Sequence, residues 1–323
     1  MSIGFILSVA VSFVITAILA RIFIPVLKSI KMGQKILDIG PRWHKSKEGT
    51  PTMGGLFFIA AGIIPCVFYA VYYSDAVFLI HYAFMLLNGL VGFLDDYVKF
   101  FKKQNKGLSA RQKLVLQTAI AALYIFSLNA CGNLSTYVKL PFISQSINLG
   151  ILYYVILILG IVFTVNSTNL TDGIDGLCSS INAVVMIFMA VLCVKSANMD
   201  GLYLCGATLG GMLGFLVYNF HPAKVFMGDT GSLYIGGAVV ATAMILDIPV
   251  ILLFVGIMYY VESVSVMIQV TSYKLTKKRV FKMTPIHHHF EMCGWNEVKI
   301  VFVFSLVTAL FSAIGCFVFV GIV

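Results

Sequence analysis

Long apolar segments alternate with short polar connections along almost the whole chain. The apolar segments occupy residues 2–27, 53–73, 76–98, 113–129, 149–166, 176–195, 201–220, 231–247, 248–271 and 298–321. Most of them approach the roughly 20 residues that an α-helix needs to cross about 30 Å of hydrocarbon. The pattern predicts an all-α, polytopic integral membrane protein with about ten transmembrane helices. Because few residues lie outside the spans, residues 1–323 are interpreted as one transmembrane domain.

The distribution of lysine and arginine predicts the orientation of these spans. The connections 28–52, 99–113 and 272–299 carry six cations each, whereas the connections on the opposite side hold only Lys139, with Lys195 at their border. Cytoplasmic loops of membrane proteins are enriched in lysine and arginine. The three basic connections are therefore expected in the cytoplasm, and both termini on the extracytoplasmic side.

The boundary near residue 247 admits two interpretations. Asp247 and Pro249 are typical of a tight turn, which separates two spans and gives ten in all. The alternative is one long, bent element. A single element would move the six cations of 272–299 to the outside, so the charge pattern favours the turn.

The composition favours a membrane protein over a nucleic-acid-binding one. Hydrophobic residues make up 60% of the chain, charged residues 11%, and the mean hydropathy is +0.97. The net charge is +9, but the basic residues lie in short loops between apolar segments, as topology-determining charges do. Seven cysteines without a Cys-x-x-Cys spacing indicate small buried residues rather than disulfides or a zinc site. We expect a lipid bilayer as the surroundings and no nucleic acid as a partner.

Five aspartates stand at the predicted cytoplasmic ends of the spans: Asp95, Asp96, Asp172, Asp175 and Asp229. A carboxylate at the centre of a membrane helix costs roughly 2.5–3.5 kcal/mol on the insertion scale. Five groups of one sign at one face are best explained by a positive ligand that gathers them. A divalent metal ion that carries phosphate oxygens is the obvious candidate, so an active site is predicted at the cytoplasmic face.

Asp95 and Asp96 close the third span. On a helix, Asp95 shares a face with Lys99, and Asp96 points about 100° away. Adjacent carboxylates suit Mg²⁺, which keeps several waters and bridges to substrate phosphates. The alternative is a solvated helix end with one ion pair.

The connection 166–177 joins spans five and six without a cation. Its glycines permit a close approach of the backbone to a ligand, and Asp172 and Asp175 could face one point at the start of a helix. The alternative is a helix N-cap. A cap needs one polar residue, and this connection has several, so we favour a ligand site.

The segment Phe226–Ser232 opens the eighth span. Asp229 or Ser232 could simply cap that helix, but backbone amides at a helix start also attract phosphate. Phe226 offers a flat surface beside them. An exposed aromatic residue is often only an interface anchor.

Three consecutive histidines at 287–289 lie in the last basic connection. Consecutive side chains diverge, so they cannot readily chelate one ion. Histidines that donate to phosphate near neutral pH are the favoured interpretation. Glu262, Ser265 and Gln269 form a polar stripe on span nine, which is expected to face the bundle interior.

Two further groups of residues contain cations that could bind a ligand or could only set the topology. Lys47 and Thr52 could clasp phosphate, and Arg111 and Lys113 could attract anionic lipid head groups. For both groups the alternative is a charge that only sets the topology.

Five short motifs carry a resemblance to a known family. They are GTPTMGG at 49–55, DDYVK at 95–99, NSTNLTDGIDGL at 166–177, FMGDTGS at 226–232 and TPIHHHFE at 284–291. In order and layout they resemble the bacterial phospho-N-acetylmuramoyl-pentapeptide-transferases, within the wider superfamily of polyprenyl-phosphate hexose-1-phosphate transferases. Ile174, where leucine is common, is a conservative departure.

The resemblance implies one reaction. UDP-N-acetylmuramoyl-pentapeptide and undecaprenyl phosphate would give lipid I and UMP with Mg²⁺ as cofactor, for peptidoglycan synthesis, in the bacterial cytoplasmic membrane. A homodimer is a further partner arrangement that it implies. Direct attack of the lipid phosphate and a covalent aspartyl-phosphate route both stay open.

The residue roles follow the same resemblance. Candidate catalytic residues are Asp95, Asp96, Asp172 and Asp229, and candidate metal ligands are Asp229, Asp95 and Asp172. Candidate substrate-binding residues are Lys47, Thr52, Lys99, Asn169, Gly173, Ile174, Asp175, Asn219, Phe226, Gln269, His287, His288 and His289. A sibling enzyme that transfers N-acetylglucosamine 1-phosphate is one alternative. A cation-coupled transporter is the other, although its acids would be expected near mid-bilayer.

Overall fold

The computed structural model describes residues 3–30, 47–101, 107–141 and 146–322. Its helices are α1 Ile3–Ser29, α2 Gly55–Tyr73, α3 Ala76–Phe101, α4 Ala110–Ala130, α5 Ile151–Thr171, α6 Leu177–Lys195, α7 Met199–Asn219, α8 Gly228–Ile245, α9 Leu252–Val255, α10 Ile257–Thr276, α11 Ile286–Glu291 and α12 Glu297–Phe319. The prediction of a helical protein is confirmed, with one small exception. The two-residue strands β1 Tyr137–Val138 and β2 Ile147–Asn148 form an antiparallel pair in the connection before α5.

Within the described residues, eight helices are long and apolar enough to cross a membrane: α1 to α7 and α12. A ninth candidate is the pair Pro249–Val255 and Ile257–Thr276, which is bent by 77° at a short break. These helices make the chain a polytopic membrane protein. The eighth predicted span corresponds to α8, whose buried residues run from Thr230 to Met244 without interruption. The total of ten spans stays a prediction.

Glycines set the distance between α1 and α7. Gly206, Gly210 and Gly214 recur at every fourth position of α7 and so form one stripe on its surface. A Cβ atom at Gly214 would lie 2.6 Å from the carbonyl oxygen of Phe13 in α1, and Gly210 meets the backbone of Val9 as closely. Small residues at this spacing allow two membrane helices to pack backbone against backbone.

Glycines also allow α3 and α8 to pack closely. Gly92 of α3 lies against the backbone of Asp229 and Thr230, and a Cβ atom at Gly237 of α8 would lie 3.1 Å from the Cα of Met85. A side chain at Gly92 would separate the two helices. This close packing places the end of α3, with its two aspartates, beside the first turn of α8.

The described cations are distributed as the predicted orientation of the spans requires. Lys99, Lys113 and Lys299 lie at the end of the bundle where the motifs meet, whereas Lys139 pairs with Asp247 at the other end (Nζ–Oδ2 3.4 Å). Seven cations used to predict the orientation lie outside the described residues: Lys31, Lys35, Arg42, Lys45, Lys102, Lys103 and Lys106. The position of both termini outside the cytoplasm therefore stays a prediction.

Candidate active site

Three aspartates from two helices converge at one end of the bundle. Asp95 and Asp96 come from the last two turns of α3 and Asp229 from the first turn of α8. One carboxylate oxygen of each lies within 4.8 Å of those of the other two. Asp95 and Asp96 are buried, and Asp229 is partly exposed. We call these residues the aspartate cluster.

Neighbouring backbone and side-chain groups fix the orientation of each carboxylate. The backbone N–H and the hydroxyl of Thr230 both donate to Oδ2 of Asp96, at 2.9 and 2.7 Å. The backbone N–H of Leu108 donates to Oδ1 of Asp95 at 2.7 Å. The amide of Asn169 donates to Oδ1 of Asp229 at 3.1 Å. These hydrogen bonds from neighbouring groups keep the three carboxylates in place.

Two lysines partly neutralise the cluster. Nζ of Lys99 lies 2.6 Å from Oδ2 of Asp95 and 3.2 Å from Oδ2 of Asp229. Nζ of Lys113, in the first turn of α4, lies 3.1 Å from Oδ1 of Asp95 and also pairs with Asp229. Three carboxylates and two ammonium groups leave one net negative charge. A divalent cation would turn this into one net positive charge, which suits phosphate.

An open cleft of about 440 Å³ lies beside the cluster. Its walls are Asp95, Lys99, Lys113 and the connection from Gly107 to Ser109, with Gln112. Ser109 and Gln112 form a reciprocal capping box at the start of α4, which satisfies the first orphan backbone donors of that helix. The cap fixes the start of α4 and with it the direction of Lys113.

The donor set fits a hard divalent cation. Three carboxylates on two rigid helices supply only oxygen, the ligand type that Mg²⁺ prefers. A second group, Asp175, His221 and Glu297, also has ligand atoms within 4.8 Å of one another. That group includes a histidine nitrogen, whereas the aspartate cluster offers only oxygens, so the aspartate cluster is the better candidate for a hard divalent cation.

Asp172 lies close to the cluster but is not a member of it. It follows α5 directly and is half-buried, and its carboxyl group has no hydrogen bond or ion pair in the part of the chain that the structure describes. The buried surroundings of its carboxyl group, and then the negative charges of Asp229 and Asp96, raise the pKa of Asp172 to about 8. Its role as a metal ligand stays a prediction.

This raised pKa leads to a prediction about stability. A group with a raised pKa stabilises the fold when protonated, and this contribution is lost as the pH rises through the folded-state pKa. Asp172→Asn, measured without divalent metal, should raise the thermal midpoint by about 2–4 °C at pH 9 and by less at pH 6. The exposed Asp247→Asn serves as the control. Equal shifts for Asp172→Asn at both pH values would contradict the assignment.

Lys47 joins two buried acids. Its Nζ lies 2.7 Å from Oδ1 of Asp175 and 2.6 Å from Oε2 of Glu297. Oε2 of Glu297 also accepts the backbone N–H of Asp175 at 3.0 Å, and Oδ2 of Asp175 lies 3.0 Å from Nδ1 of His221. This network ties the connection before α2, the connection before α6 and the start of α12 into one wall.

The GTPTMGG segment pairs with the segment before α8. The backbone N–H of Phe226 donates to Pro51 at 2.8 Å, and that of Gly54 donates back to Phe226 at 2.9 Å. Thr52 thereby faces Gly228, where a Cβ atom would lie 2.9 Å from its hydroxyl. Asn219 donates to the carbonyl of Val225 at 3.0 Å. The structure thus brings Thr52, Phe226 and Asn219 together, as their predicted role in one substrate site requires.

The three histidines and Gln269 are placed differently from one another. His287 is fully buried and pairs with Glu262, whereas Nδ1 of His288 lies 2.6 Å from Glu291. Nδ1 of His289 accepts the backbone N–H of Lys282 at 3.2 Å. The amide of Gln269 is engaged with the backbone of residues 280 and 281. The role of the histidines as phosphate donors stays a prediction, and Gln269 orders the connection before α11.

Several site residues were not found from the sequence. His221 and Glu297 lie in no motif, Thr230 lies in the FMGDTGS motif but was given no role of its own, and Lys113 could equally set the topology. The capping residues Ser109 and Gln112 were the one local signal, since they mark the helix start that carries Lys113. The rest required the tertiary arrangement.

Two family models match this chain. Residues 78–247, more than half of the chain, match the family model described as glycosyl transferase family 4. Residues 47–59 match the first signature of phospho-N-acetylmuramoyl-pentapeptide-transferase.

Several curated relatives match over nearly the full length. The phospho-N-acetylmuramoyl-pentapeptide-transferase of Caldicellulosiruptor bescii is 45% identical over 311 residues, which is 96% of each chain. That of Clostridium novyi is 44% identical and covers 95% of this chain and 94% of its own. That of Caldanaerobacter subterraneus is 43% identical, with 92% and 93% covered. The chain, a multi-pass protein of the bacterial cytoplasmic membrane, therefore belongs to the family of phospho-N-acetylmuramoyl-pentapeptide-transferases.

Proposed function

We propose that this member of the family performs the family's reaction at the aspartate cluster. The reaction moves phospho-N-acetylmuramoyl-pentapeptide from its UDP derivative to undecaprenyl phosphate, and gives lipid I and UMP. The observation that carries the assignment is the convergence of Asp95, Asp96 and Asp229 with Lys99 and Lys113 beside an open cleft. A lipid phosphate that arrives along the membrane and a nucleotide from the cytoplasm can meet only at such a helix end.

Mg²⁺ is the proposed metal, with Asp95, Asp96 and Asp229 as the residues that would hold it. When bound, it would neutralise phosphate charge and polarise the phosphorus–oxygen bonds. Asp172 is proposed to support the metal or the substrate from the neighbouring connection. The carboxyl group of Asp172 would then act in its ionised form.

The chain's own residues are proposed to position the two phosphates. An oxygen of the lipid phosphate attacks the β-phosphorus of the nucleotide, the bond to the α-phosphate oxygen breaks, and UMP leaves. Lys99 and Lys113 would hold phosphate oxygens and offset their charge. Much of a phosphate monoester is already dianionic near pH 7, so Asp95 has no need to act as a base. Its proposed role is to orient both lysines, which it contacts directly. Catalysis would then depend on positioning and electrostatics.

The nucleotide is proposed to lie against the wall that Lys47 joins. Its candidate contacts are Thr52, Asn169, Gly173, Ile174, Asp175, Asn219 and Phe226, with Lys47 near the phosphates. The support is spatial, because the segments at 51–55, 172–176 and 219–228 adjoin one another. Gln269, His288 and His289 are proposed to shape the remaining side of the cleft.

The membrane arrangement that fits this function has ten spans, both termini outside the cytoplasm, and one transferase domain over residues 1–323. The helix ends that carry the aspartate cluster then face the cytoplasm. This is the compartment from which a UDP-linked substrate comes. A homodimer stays a prediction.

Release of UMP by the purified protein in detergent tests the proposed function. With Mg²⁺ and undecaprenyl phosphate, UDP-N-acetylmuramoyl-pentapeptide should give UMP, and UDP-N-acetylglucosamine should give none. The opposite preference would favour the sibling transferase. Absence of UMP with either sugar nucleotide would rule out a transferase and leave the transporter alternative.

A further inference from the structure

A buried acid and a buried histidine that are not members of the aspartate cluster meet inside the bundle. Glu262 lies on α10 and His287 on α11, and both are fully buried. Nδ1 of His287 lies 3.0 Å from Oε2 of Glu262. A carboxylate inside a membrane bundle is costly, and this one has no lysine or arginine partner among the described residues. Such a residue calls for an explanation beyond packing.

The contacts define which nitrogen of His287 carries hydrogen. The backbone N–H of His287 also donates to Oε2 of Glu262, at 3.4 Å. When Glu262 is ionised, its oxygens can only accept, and Nδ1 of the ring is then the donor at Oε2. Nε2 is then the nitrogen on the far side of the ring. It is buried and has no hydrogen-bond partner among the described residues.

The far side of the ring meets the connection between α5 and α6. A Cβ atom at Gly173 would lie 2.5 Å from Cε1 and 3.3 Å from Cδ2 of His287, so the ring occupies the space of a side chain there. Gly173 is not among the glycines with positive φ. Glycine is thus needed here for space and not for backbone conformation. The ring supports the backbone directly after Asp172.

A second contact from α10 fixes the segment that carries His287. Gln269, two turns after Glu262, accepts the backbone N–H groups of Val280 and Phe281 at 2.9 and 3.0 Å. Glu262 and Gln269 therefore hold both ends of the segment 280–287. The position of the histidine ring is set by α10 and not by the short helix α11 itself.

We propose that Glu262 is a positioning residue for the reaction. It fixes the hydrogen of His287 on Nδ1 and the orientation of the ring, and the ring in turn holds Gly173 and the connection 172–175 in the shape that receives the nucleotide. The proposal has two parts. The first part is that Glu262 fixes the hydrogen and the orientation of the His287 ring. The second part is that the ring shapes the connection 172–175 for the nucleotide, and it rests on the proposed function, which assigns this connection to the UDP substrate.

Kinetics of three variants test the second part. Glu262→Leu should raise KM for the UDP substrate by about 10–100-fold, the usual cost of losing a group that orients a ligand. KM for undecaprenyl phosphate should change by less than about twofold. Glu262→Gln should restore most of the loss, because its carboxamide oxygen can accept the Nδ1–H. Ser265→Ala, on the same face of α10, is the matched control.

Imidazole ¹⁵N NMR of the full chain tests the first part without turnover. His287 is assigned by comparison with His287→Asn. Hydrogen on Nδ1 in the wild type and in Glu262→Gln supports the proposal, even if Glu262→Leu fails to fold. An Nδ1 without hydrogen in the wild type overturns it. An unchanged KM for the UDP substrate in Glu262→Leu also overturns it, as does an equal rise in both KM values.

The two tests separate two kinds of failure. If the wild type releases no UMP while NMR finds hydrogen on Nδ1, the proposed function is wrong and the Glu262–His287 assignment stands. If the wild type releases UMP and either test of Glu262 fails, the positioning role is wrong and the proposed function stands.

Discussion

Asp95→Asn is expected to lower kcat by at least about 10³-fold while the protein stays folded. Asp95 is the carboxylate that contacts both lysines, and it is buried at the centre of the cluster. Asparagine keeps the shape and can still accept the backbone N–H of Leu108, but it removes the charge that holds Lys99 and Lys113. Steady-state release of UMP at saturating Mg²⁺ measures the effect.

The control for this prediction is an aspartate at the other end of the bundle. Asp247 is half exposed and, among the described residues, pairs with Lys139, so Asp247→Asn should leave UMP release near the wild-type rate. The thermal midpoint of Asp95→Asn should stay within a few degrees of the wild type. Near-normal turnover by a folded Asp95→Asn protein would contradict a role of Asp95 in the reaction.

Lys113→Gln is expected to lower kcat/KM for undecaprenyl phosphate by about 10²-fold. Lys113 bridges Asp95, which lines the cleft, and Asp229. Without it the cluster has two net negative charges instead of one, and a phosphate is repelled more strongly. The uncharged glutamine keeps the length of the side chain but supplies no compensating charge.

Arg111 provides the matched control for Lys113. It lies two residues earlier at the same helix start, is exposed, and lines an apolar groove beside the cleft. Arg111→Gln should keep kcat/KM within about threefold of the wild type. Equal losses in both variants would indicate a general attraction for anionic lipid and would contradict a specific role of Lys113.

The sequence predicted the membrane spans well because hydrophobic length is a local property. The segment 113–129 was among the least apolar, and it forms α4 at Ala110–Ala130. The spans predicted at 231–247 and 248–271 correspond to α8 and to a strongly bent pair of helices. The bend near Gly256 could not be predicted, since it depends on how α9 packs against its neighbours.

The aspartates were predictable because acids at the edge of apolar segments are costly and few. Their grouping was predictable only in part. The structure brings Asp95, Asp96 and Asp229 together, and the role of Asp172 as a metal ligand stays a prediction. That both adjacent aspartates turn inward depends on the packing of α3 against α8, and a helix pattern alone does not define it.

The partners of the charged residues could not be predicted. Lys47 was expected to bind phosphate, and it lies between two acids, one of them 250 residues away in sequence. The packing of Gly173 against the ring of His287 is another long-range contact. Such pairings follow from the fold as a whole, so they appear only when the helices are assembled.

The position of a bound divalent ion tests the central claim most directly. Crystals or frozen particles of the full chain with Mn²⁺ in place of Mg²⁺ and a non-reactive UDP analogue would reveal it. We predict one ion bonded to oxygens of Asp95, Asp96 and Asp229, next to the diphosphate. An ion between Asp175, His221 and Glu297, with the aspartate cluster still paired only with Lys99 and Lys113, would contradict the proposed active site.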